Sequence, residues 1–563
     1  MRAEASPALA AGWAGLGMRE VAAWGLLLAV ALIVRVASLG EPPLDPAEGQ
    51  RALEGWTLWN EGQVTYAGGP LMPNVLSFVF GLFSAGDGQA RLLSVAAGAG
   101  AVLIPCLLRP ALGNLAAWSA GLTLAACPPL VVASRSASPT VLVVLFLLAT
   151  AACGYRLAHE ADGRWLVSGL ATIVLGLAAD PSFVVGAAGL ALAAAIAEGD
   201  SLTRGPWWPV ARASARQAVV VALVLATAVN TRLLMNPIGL QAGLVDPFWR
   251  WSADVVRGAG LAGPLLLLLI DGGVLALAAV GLAGYRRQPR AVRLLAIWLA
   301  VAVATTALMR QPDVRYLVLP LLPAGLLAGL GLSQLLETVA SHGTFRSSLF
   351  GLAGLVPLIT AAFHINSVLR ASPAQPPWSI ASIVAVAGLL VVVVLAFSVL
   401  RAAECRAALA TFVLILVGLW SITTTSRLLE ARGTGRAHLL EQAVLTDEIK
   451  VVREEALKWL RANPDGPIPV DPSLRPLVAW ALRDVPTVRY DTAAGGVPSA
   501  RLLGEPPAAL GTDFRADRLV VGYRSDWATL DLAPARVWRW VIGRQDLVDA
   551  RPYVILVVQP AGE

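Results

Sequence analysis

Charged side chains are scarce in this sequence. Asp, Glu, Lys and Arg make up 14% of its 563 residues, whereas a soluble protein has about 25%. Hydrophobic residues reach 57%, and the mean hydropathy is +0.68. A water-soluble core cannot bury that much apolar surface, so the composition excludes a soluble globular protein and predicts a polytopic α-helical membrane protein.

Cysteine and histidine, two of the usual ligands of zinc, occur only four times each. No two cysteines have the spacing of a disulfide or a metal site, so we expect buried free thiols. The histidines are too scattered for a zinc cluster. The sequence therefore identifies no certain cofactor, and a divalent metal ion is left open. The residues are Cys106, Cys127, Cys153, Cys405, His159, His342, His364 and His438.

Lysine is almost absent, since Lys450 and Lys458 are the only two. Arginine supplies the other basic residues and an isoelectric point near 9.4. These arginines are spread over short loops and form no patch interleaved with aromatic side chains, so nucleic acid is excluded as a partner. Membrane lipid is the partner that the composition predicts.

Thirteen apolar runs are long enough, or nearly so, to cross a membrane, which takes about 20 residues. The turn Ala179-Asp180-Pro181 splits the stretch 165–198 into two short helices. Asp271 falls inside one run, where a charge costs roughly 2.5–3.5 kcal/mol on insertion scales, so we expect it to face the bundle interior. The runs are 21–39, 89–108, 115–133, 140–155, 165–179, 182–198, 217–234, 261–284, 292–309, 316–335, 348–368, 378–400 and 406–424.

The loops between these runs differ in charge. A cytoplasmic N-terminus places the arginine-rich loops inside, as the positive-inside rule requires, and leaves most loop acids on the other side. We therefore predict a multi-pass protein of the cell membrane with residues 1–20 in the cytoplasm. The run 21–39 is too long for a cleaved signal peptide and is interpreted as an anchor. Thirteen crossings then put residues 425–563 outside.

Residues 425–563 differ in character from the transmembrane domain, residues 21–424. From about residue 440, charged residues return and the apolar runs shorten to strand length. The segments IPVD, TVRYD, RLVVGY and YVILVVQP predict strands, and 447–460 and 473–482 predict helices. We expect a small extracytoplasmic α/β domain.

The first outer loop, residues 40–88, opens with three carboxylates just past the first apolar run: Asp45, Glu48 and Glu54. Apolar and polar residues in 47–60 segregate at helical spacing, which predicts an amphipathic helix at the membrane interface. Asp45 stands at the start of that helix, where a carboxylate caps the backbone and suits the helix dipole. A structural N-cap and a functional acid both remain open for Asp45.

Several short motifs follow Asp45 in a fixed order. They are Gly69-Pro70-Leu71, then Leu82-Phe83, then Ala90-Arg91-Leu92-Leu93-Ser94, then Arg315-Tyr316-Leu317-Val318-Leu319-Pro320-Leu321-Leu322-Pro323-Ala324, and last Leu477-Val478-Ala479-Trp480-Ala481-Leu482-Arg483-Asp484. In this order and spacing the sequence resembles the membrane glycosyltransferases of the C-type fold. That group contains the protein O-mannosyltransferases, the aminoarabinose transferases and the archaeal flippase-associated relatives.

The resemblance implies transfer of a sugar from a polyprenyl-phosphate donor to a hydroxyl or amine on the outer face of the membrane. Asp45 stands where the family has the base that takes the acceptor's proton. Glu48 would substitute, one helical turn on, for the family's second acid. Arginines on the same face would stabilise the leaving phosphate. The residues that the resemblance assigns to substrate binding are Arg310, Arg315, Arg135, Arg250 and Tyr316.

Three departures from the family pattern favour a second hypothesis. Pro46 occupies the place of the second acid, the loop from Arg135 to Thr140 lacks an acid, and Asp180 falls where many members have a lysine-containing loop. The alternative is therefore a non-catalytic descendant of the fold that acts as a scaffold or subunit beside a membrane protein partner. A transporter or lipid flippase is a third hypothesis, disfavoured because the runs lack paired Gly/Pro-broken helices with repeat symmetry.

Overall fold

The computed structural model describes most of the chain. The described residues are 17–255, 262–283, 289–308, 314–371, 380–433, 443–462, 467–485, 487–490, 501–503, 514–526, 536–537, 540 and 549–560.

Twenty helices precede residue 434 in the described part of the chain. The first ten are α1 (Met18–Val36), α2 (Pro46–Glu61), α3 (Leu71–Phe83), α4 (Asp87–Leu103), α5 (Arg109–Leu112), α6 (Asn114–Ala126), α7 (Pro128–Ser134), α8 (Thr140–Glu160), α9 (Gly163–Ala179) and α10 (Ser182–Arg204). The next ten are α11 (Trp207–Asn230), α12 (Gly239–Leu244), α13 (Asp246–Val255), α14 (Ala262–Ala283), α15 (Pro289–Ala307), α16 (Val314–His342), α17 (Phe345–Ala353), α18 (Leu355–Ala371), α19 (Ile380–Val399) and α20 (Ala402–Gly433).

Every predicted apolar run coincides with one of these helices or with a pair of them. Within the described residues, eight helices are long and apolar enough to cross a membrane, and a ninth results if α6 and α7 count as one span. The protein is therefore mostly helical and polytopic, while the number thirteen stays a prediction. The split at Ala179-Asp180-Pro181 is confirmed, because α9 ends there and α10 begins.

Two helices depart from straight spans. A 63° bend separates α6 from α7, where Pro128 and Pro129 open α7 and cannot continue the hydrogen bonds of α6. Arg35 of α1 fills this break, since its guanidinium donates to the carbonyls of Leu124 and Ala125. Asp271 has a non-helical backbone inside α14 and is fully buried, as expected from the sequence.

The chain after α20 folds around one sheet. The structure extends α20 to Gly433, beyond the domain boundary predicted at 425. The strands are β1 (Ala443–Leu445), β2 (Ile468–Val470), β3 (Val488–Tyr490), β4 (Arg501–Leu503), β5 (Phe514–Asp526) and β6 (Asp549–Pro560), with α21 (Glu448–Ala462) and α22 (Arg475–Val478) between them. All four predicted strand segments lie in this sheet.

The sheet has the order β1-β5-β6-β4-β2-β3. The long strands β5 and β6 pair antiparallel at its centre, and β2 pairs parallel with β3 and β4. The core packs Val452 and Ala456 of α21 against Val470, Val521 and Ile555 of the sheet. We call this unit, residues 443–560, the C-terminal domain.

The C-terminal domain sits directly on the first outer loop. Trp480 is buried, and its indole Nε1 donates to Asp87 Oδ1 over 2.7 Å. Arg483 donates to the carbonyl of Ala85 over 2.6 Å and lies 3.9 Å over the Trp480 ring. On the other side, a Cβ added to Gly49 of α2 would stand 3.2 Å from the Cβ of Trp480. The helix that carries the acidic motif therefore packs against the C-terminal domain.

Candidate active site at the first outer loop

The acidic motif begins with a complete capping box. Asp45 is the N-cap of α2: its Oδ1 accepts from the backbone N–H of Glu48 over 2.8 Å. In return, Glu48 Oε2 accepts from the backbone N–H of Asp45 over 3.0 Å. Pro46 occupies the first turn, where its missing N–H is harmless. The N-cap interpretation of Asp45 and the predicted helix are thus confirmed, and Asp45 is fixed in position by the backbone.

Glu48 belongs to a buried ion pair with Arg91 of α4. Both side chains are 1% exposed, and Arg91 Nη2 lies 2.8 Å from Glu48 Oε2. Glu48 Oε1 also accepts from the backbone N–H of Ala137. The remaining Arg91 donors bind the carbonyls of Leu39, Pro42 and Pro43, so every one of its N–H groups has an acceptor. This pair ties the start of α2 to the end of α1, to α4 and to the loop after α7.

Asp45 lines a cavity between α2 and the C-terminal domain. The cavity has a volume of about 220 Å³. Burial raises the pKa of Tyr553 on β6, and the charge of Arg524 lowers it. The charge of Asp45 raises the same pKa, which shows that the Asp45 carboxylate is close to the C-terminal domain. The other lining residues are Pro43, Leu44, Gly49, Asp87, Leu445, Ile449, Lys450, Arg453, Pro476, Leu477, Trp480, Ala481 and Arg483.

The opposite face of α2 carries Glu54, whose side chain is 7% exposed. Its Oε1 accepts from the backbone N–H of Ala67 over 3.1 Å, and its buried Oε2 has no hydrogen-bond partner among the described residues. Burial raises the pKa of this carboxyl from 4.5 to about 6, against smaller lowering effects of the Ala67 hydrogen bond, Arg51 and Arg250. Glu54 is therefore a buried acid whose pKa is raised to about 6.

The arginines predicted to bind substrate lie in two other places. Arg250 holds the stretch after α2, since it donates to the carbonyls of Ala67 and Tyr66. Arg315 lies 4.0 Å from Asp180 in the turn between α9 and α10.

That turn packs on the same stretch as Arg250. A Cβ on Gly69 would clash with the carbonyl of Ala179. Arg250 thus contacts this segment on the Glu54 side of α2, while Arg315 lies beside the turn that packs on Gly69.

The remaining predicted residues are scattered. Arg135 donates to the carbonyl of Val34 over 2.8 Å, at the end of α1. Tyr316 is buried next to Arg315, whose guanidinium lies 5.8 Å over its ring. Arg310 lies outside the described residues, as does Asp313. Within the described residues, no group of three or more His, Cys, Asp and Glu side chains is arranged to hold a metal ion.

Sequence reasoning did not assign Lys450, Arg453 and Arg483 to the site. The motif containing Trp480 and Arg483 was the available signal, but nothing in it indicates contact with α2. Lys450 and Arg453 are three residues apart on α21, so they share one face of that helix. Only the docking of the C-terminal domain brings that face to Asp45.

Comparison with known proteins gives a fold and a family match over part of the chain. The model of the dolichyl-phosphate-mannose-protein mannosyltransferase family matches residues 67–230. No curated protein matches this chain.

Two solved structures are similar to this chain. ArnT from Cupriavidus metallidurans bound to undecaprenyl phosphate is 19% identical with a TM-score of 0.50, and the match covers 82% of this chain and 84% of ArnT. The archaeal oligosaccharyltransferase AglB from Archaeoglobus fulgidus, in complex with an inhibitory peptide and a dolichol-phosphate, is 11% identical with a TM-score of 0.46 over 82% of this chain and 63% of AglB. The resemblance stated from the sequence is therefore confirmed, and the chain has the C-type fold of the membrane glycosyltransferases.

Proposed function

We propose that this protein is an integral membrane glycosyltransferase that moves a sugar from a polyprenyl-phosphate donor to an acceptor on the outer face of the membrane. The C-type fold and the family match over residues 67–230 support this proposal. The similar ArnT structure contains undecaprenyl phosphate, a lipid of the proposed class.

The observation that carries the proposal is Asp45 at the wall of a cavity, held by a capping box and flanked by cationic side chains. In the proposed reaction, the acceptor oxygen or nitrogen attacks the anomeric carbon while Asp45 takes its proton. The bond between that carbon and the phosphate oxygen breaks, and the phosphate leaves with the bonding electrons. Glu48 holds Asp45 in place through the capping box.

We propose the arginines named from the sequence as contacts of the donor phosphate, although neither Arg250 nor Arg315 lines the Asp45 cavity. Arg315 is 34% exposed and its nearest oxygen on Asp180 is 4.0 Å away, a long ion pair that an incoming phosphate can replace. Arg250 is exposed to a similar extent and holds the same segment, 66–70. Arg135, Tyr316 and Arg310 remain part of this proposal as further donor contacts.

The test is transfer by the full chain in lipid nanodiscs, with a panel of polyprenyl-phosphate sugars. Asp45→Asn preserves the cap, because Asn caps about as well as Asp, but removes the basic carboxylate. Transfer should fall by about 10²–10⁴-fold, the usual size of general-base catalysis. Asp162→Asn is the control, since Asp162 also caps a helix away from the site: it accepts from the backbone N–H of Arg164 at the start of α9. Equal transfer by Asp45→Asn and wild type would remove Asp45 as the base.

A second candidate function is a non-catalytic scaffold. The observation that favours it is that both acids of the motif have structural partners. Asp45 caps α2, and the Glu48 carboxylate binds the Arg91 guanidinium and the backbone N–H of Ala137. This candidate expects no turnover with any donor of the panel and a stable membrane protein partner that copurifies with the chain. Turnover that depends on Asp45 eliminates it.

A further inference from the structure

We infer that Arg212 and Arg216 of α11 bind the phosphate of an anionic phospholipid, whose chains lie along the apolar part of the same helix face. That face, which we call the α11 stripe, consists of Trp208, Arg212, Arg216, Val219 and Leu223. The inference does not depend on the proposed function, because the stripe is remote from the acidic loop and its lipid is not a sugar donor.

The stripe starts at the end of α11 that is remote from the first outer loop. At the other end, Asn74 of that loop donates through Nδ2 to the carbonyl of Val229 over 2.7 Å. The helix is apolar enough to cross a membrane, and its 24 residues span about 36 Å, more than the roughly 30 Å of a hydrocarbon core. Arg212 and Arg216 are therefore on the membrane face opposite Asp45, where long basic side chains reach the headgroups.

The apolar residues of the stripe face lipid. Val219 and Leu223 are 49% and 62% exposed, and only 17% of the apolar segment of α11 is buried inside the protein. Successive members of the stripe are three or four positions apart, so all five share about a quarter of the helix circumference. A lipid-facing helix surface that ends in two arginines has the same order of parts as a phospholipid, which joins apolar chains to a phosphate.

Both arginines of the stripe are exposed, and within the described residues neither has an acid as a partner. The acids at this end of the protein already have partners. Where the start of α9 packs on α11 at Ser214, Asp162 binds Arg164 over 2.6 Å. Glu160, at the end of α8, binds Arg156. The two positive charges are thus left for an anion from outside the chain.

The aromatic residues beside Arg212 fit a headgroup site. Trp208 stacks on Trp207 with 4.5 Å between the ring centroids, and the Arg212 guanidinium lies 5.9 Å from the centroid of Trp208. Tryptophan is enriched at the level of the lipid headgroups, and a guanidinium binds phosphate oxygens with two parallel N–H bonds. A zwitterionic headgroup would bring its own cation toward the two arginines, so the stripe favours a lipid with net negative charge.

The experiment measures lipid binding to the full chain in detergent by native mass spectrometry, with phosphatidylglycerol as the anionic probe and phosphatidylcholine as the zwitterionic probe. We expect Arg212→Gln and Arg216→Gln each to weaken phosphatidylglycerol binding about fivefold, since one basic side chain near an anionic lipid surface contributes about that factor. Phosphatidylcholine should bind wild type more weakly than phosphatidylglycerol does, and its binding should not respond to either substitution.

Two control variants separate a defined site from general attraction. Arg164→Gln removes an exposed arginine at the same end that is already paired with Asp162, and it should bind like wild type. Arg216→Gln combined with Gln217→Arg keeps the net charge but moves it about 100° around the helix, to another exposed position. This charge-shifted variant should lose binding as Arg216→Gln does. Thermal unfolding of each variant verifies that it is folded.

Three results would overturn the inference: equal binding of the two lipids to wild type, undiminished binding by the charge-shifted variant, and equal weakening by Arg164→Gln. The second of these would show that only the total charge of this membrane face matters. A dimer of the wild type that is lost in Arg212→Gln would overturn it too, because the stripe would then contact a second copy of the chain.

Discussion

The buried arginines of the membrane domain and the lysines of the C-terminal domain have opposite environments. Arg35, Arg91 and Arg156 are at most 2% exposed, and each of them donates to backbone carbonyls. Lys450 and Lys458 instead are exposed to solvent, each beside one acid three residues earlier in the chain. A buried cation that donates to backbone carbonyls stabilises the fold and cannot reach a substrate, whereas an exposed cation with one weak partner can exchange it for a ligand. The exposure of a charged side chain and its hydrogen-bond partners therefore distinguish a structural from a functional role better than its charge alone.

The largest effect should come from breaking the buried pair. Glu48→Gln leaves the Arg91 charge without its carboxylate, and losing one partner of a buried ion pair costs about 3–5 kcal/mol. We expect a lower yield of folded protein and a clearly lower thermal midpoint in detergent. Glu61→Gln, on the exposed end of the same helix, should behave like wild type. A stable Glu48→Gln protein would mean that Arg91 finds another acceptor.

Glu54 should have a smaller, pH-dependent effect. Its folded pKa of about 6 is above its ordinary 4.5, so the folded state binds the proton more tightly, and stability is highest below pH 4.5 and is lost as the pH rises through 6. Glu54→Gln keeps an oxygen for the Ala67 N–H and removes the charge. At pH 8 it should be more stable by about 2 kcal/mol, with no difference at low pH.

The measurement for Glu54 is the difference in thermal midpoint between variant and wild type across pH 4–8. Glu41→Gln, an exposed acid of the same loop, is the control and should give a flat difference. A flat difference for Glu54→Gln as well would show that the Glu54 oxygens are solvated.

Loss of one hydrogen bond between the two domains should have a still smaller effect on stability. Trp480→Phe retains the ring against Phe80, 5.7 Å away, but loses the hydrogen bond to Asp87. A loss of about 1 kcal/mol should appear as faster amide hydrogen exchange in α22 and in the start of α4. Unchanged exchange there would mean that the interface does not depend on this bond.

The smallest expected effect is the stability of the exposed lysine variants. Lys450→Gln and Lys458→Gln each lose a surface ion pair worth about 0–1 kcal/mol. Their thermal midpoints should match wild type within a degree or two. A marked loss of stability in Lys450→Gln would show that Lys450 stabilises the fold. The basic side chains of the two domains would then not differ in role.

Local patterns in the sequence predicted much of the fold. The capping residue Asp45, the helix that follows it and the turn at Asp180 all depend on neighbouring residues, so spacing and residue type suffice. Helix α3 was missed, because its 13 residues are too short for a span and it lies inside a loop. The bend between α6 and α7 was also missed, although Pro128 and Pro129 indicate it.

The candidate site depends on contacts that local patterns do not contain. Glu48 and Arg91 are 43 positions apart, and Trp480 and Asp87 are 393 positions apart. Hydrophobic periodicity assigns faces to helices but does not say which faces meet. The sequence therefore could not show that Arg250 lies beside residues 66 and 67, whereas Lys450 and Arg453 of α21 lie at the cavity beside Asp45.

Gly49 allows the C-terminal domain to approach α2 closely. It has no side chain, and a Cβ there would stand 3.2 Å from the Cβ of Trp480. A larger residue at this position would clash with Trp480 and push the C-terminal domain away from α2 without changing any charge. The opening available to an acceptor would then be adjustable through one uncharged position, independently of the groups that bind it.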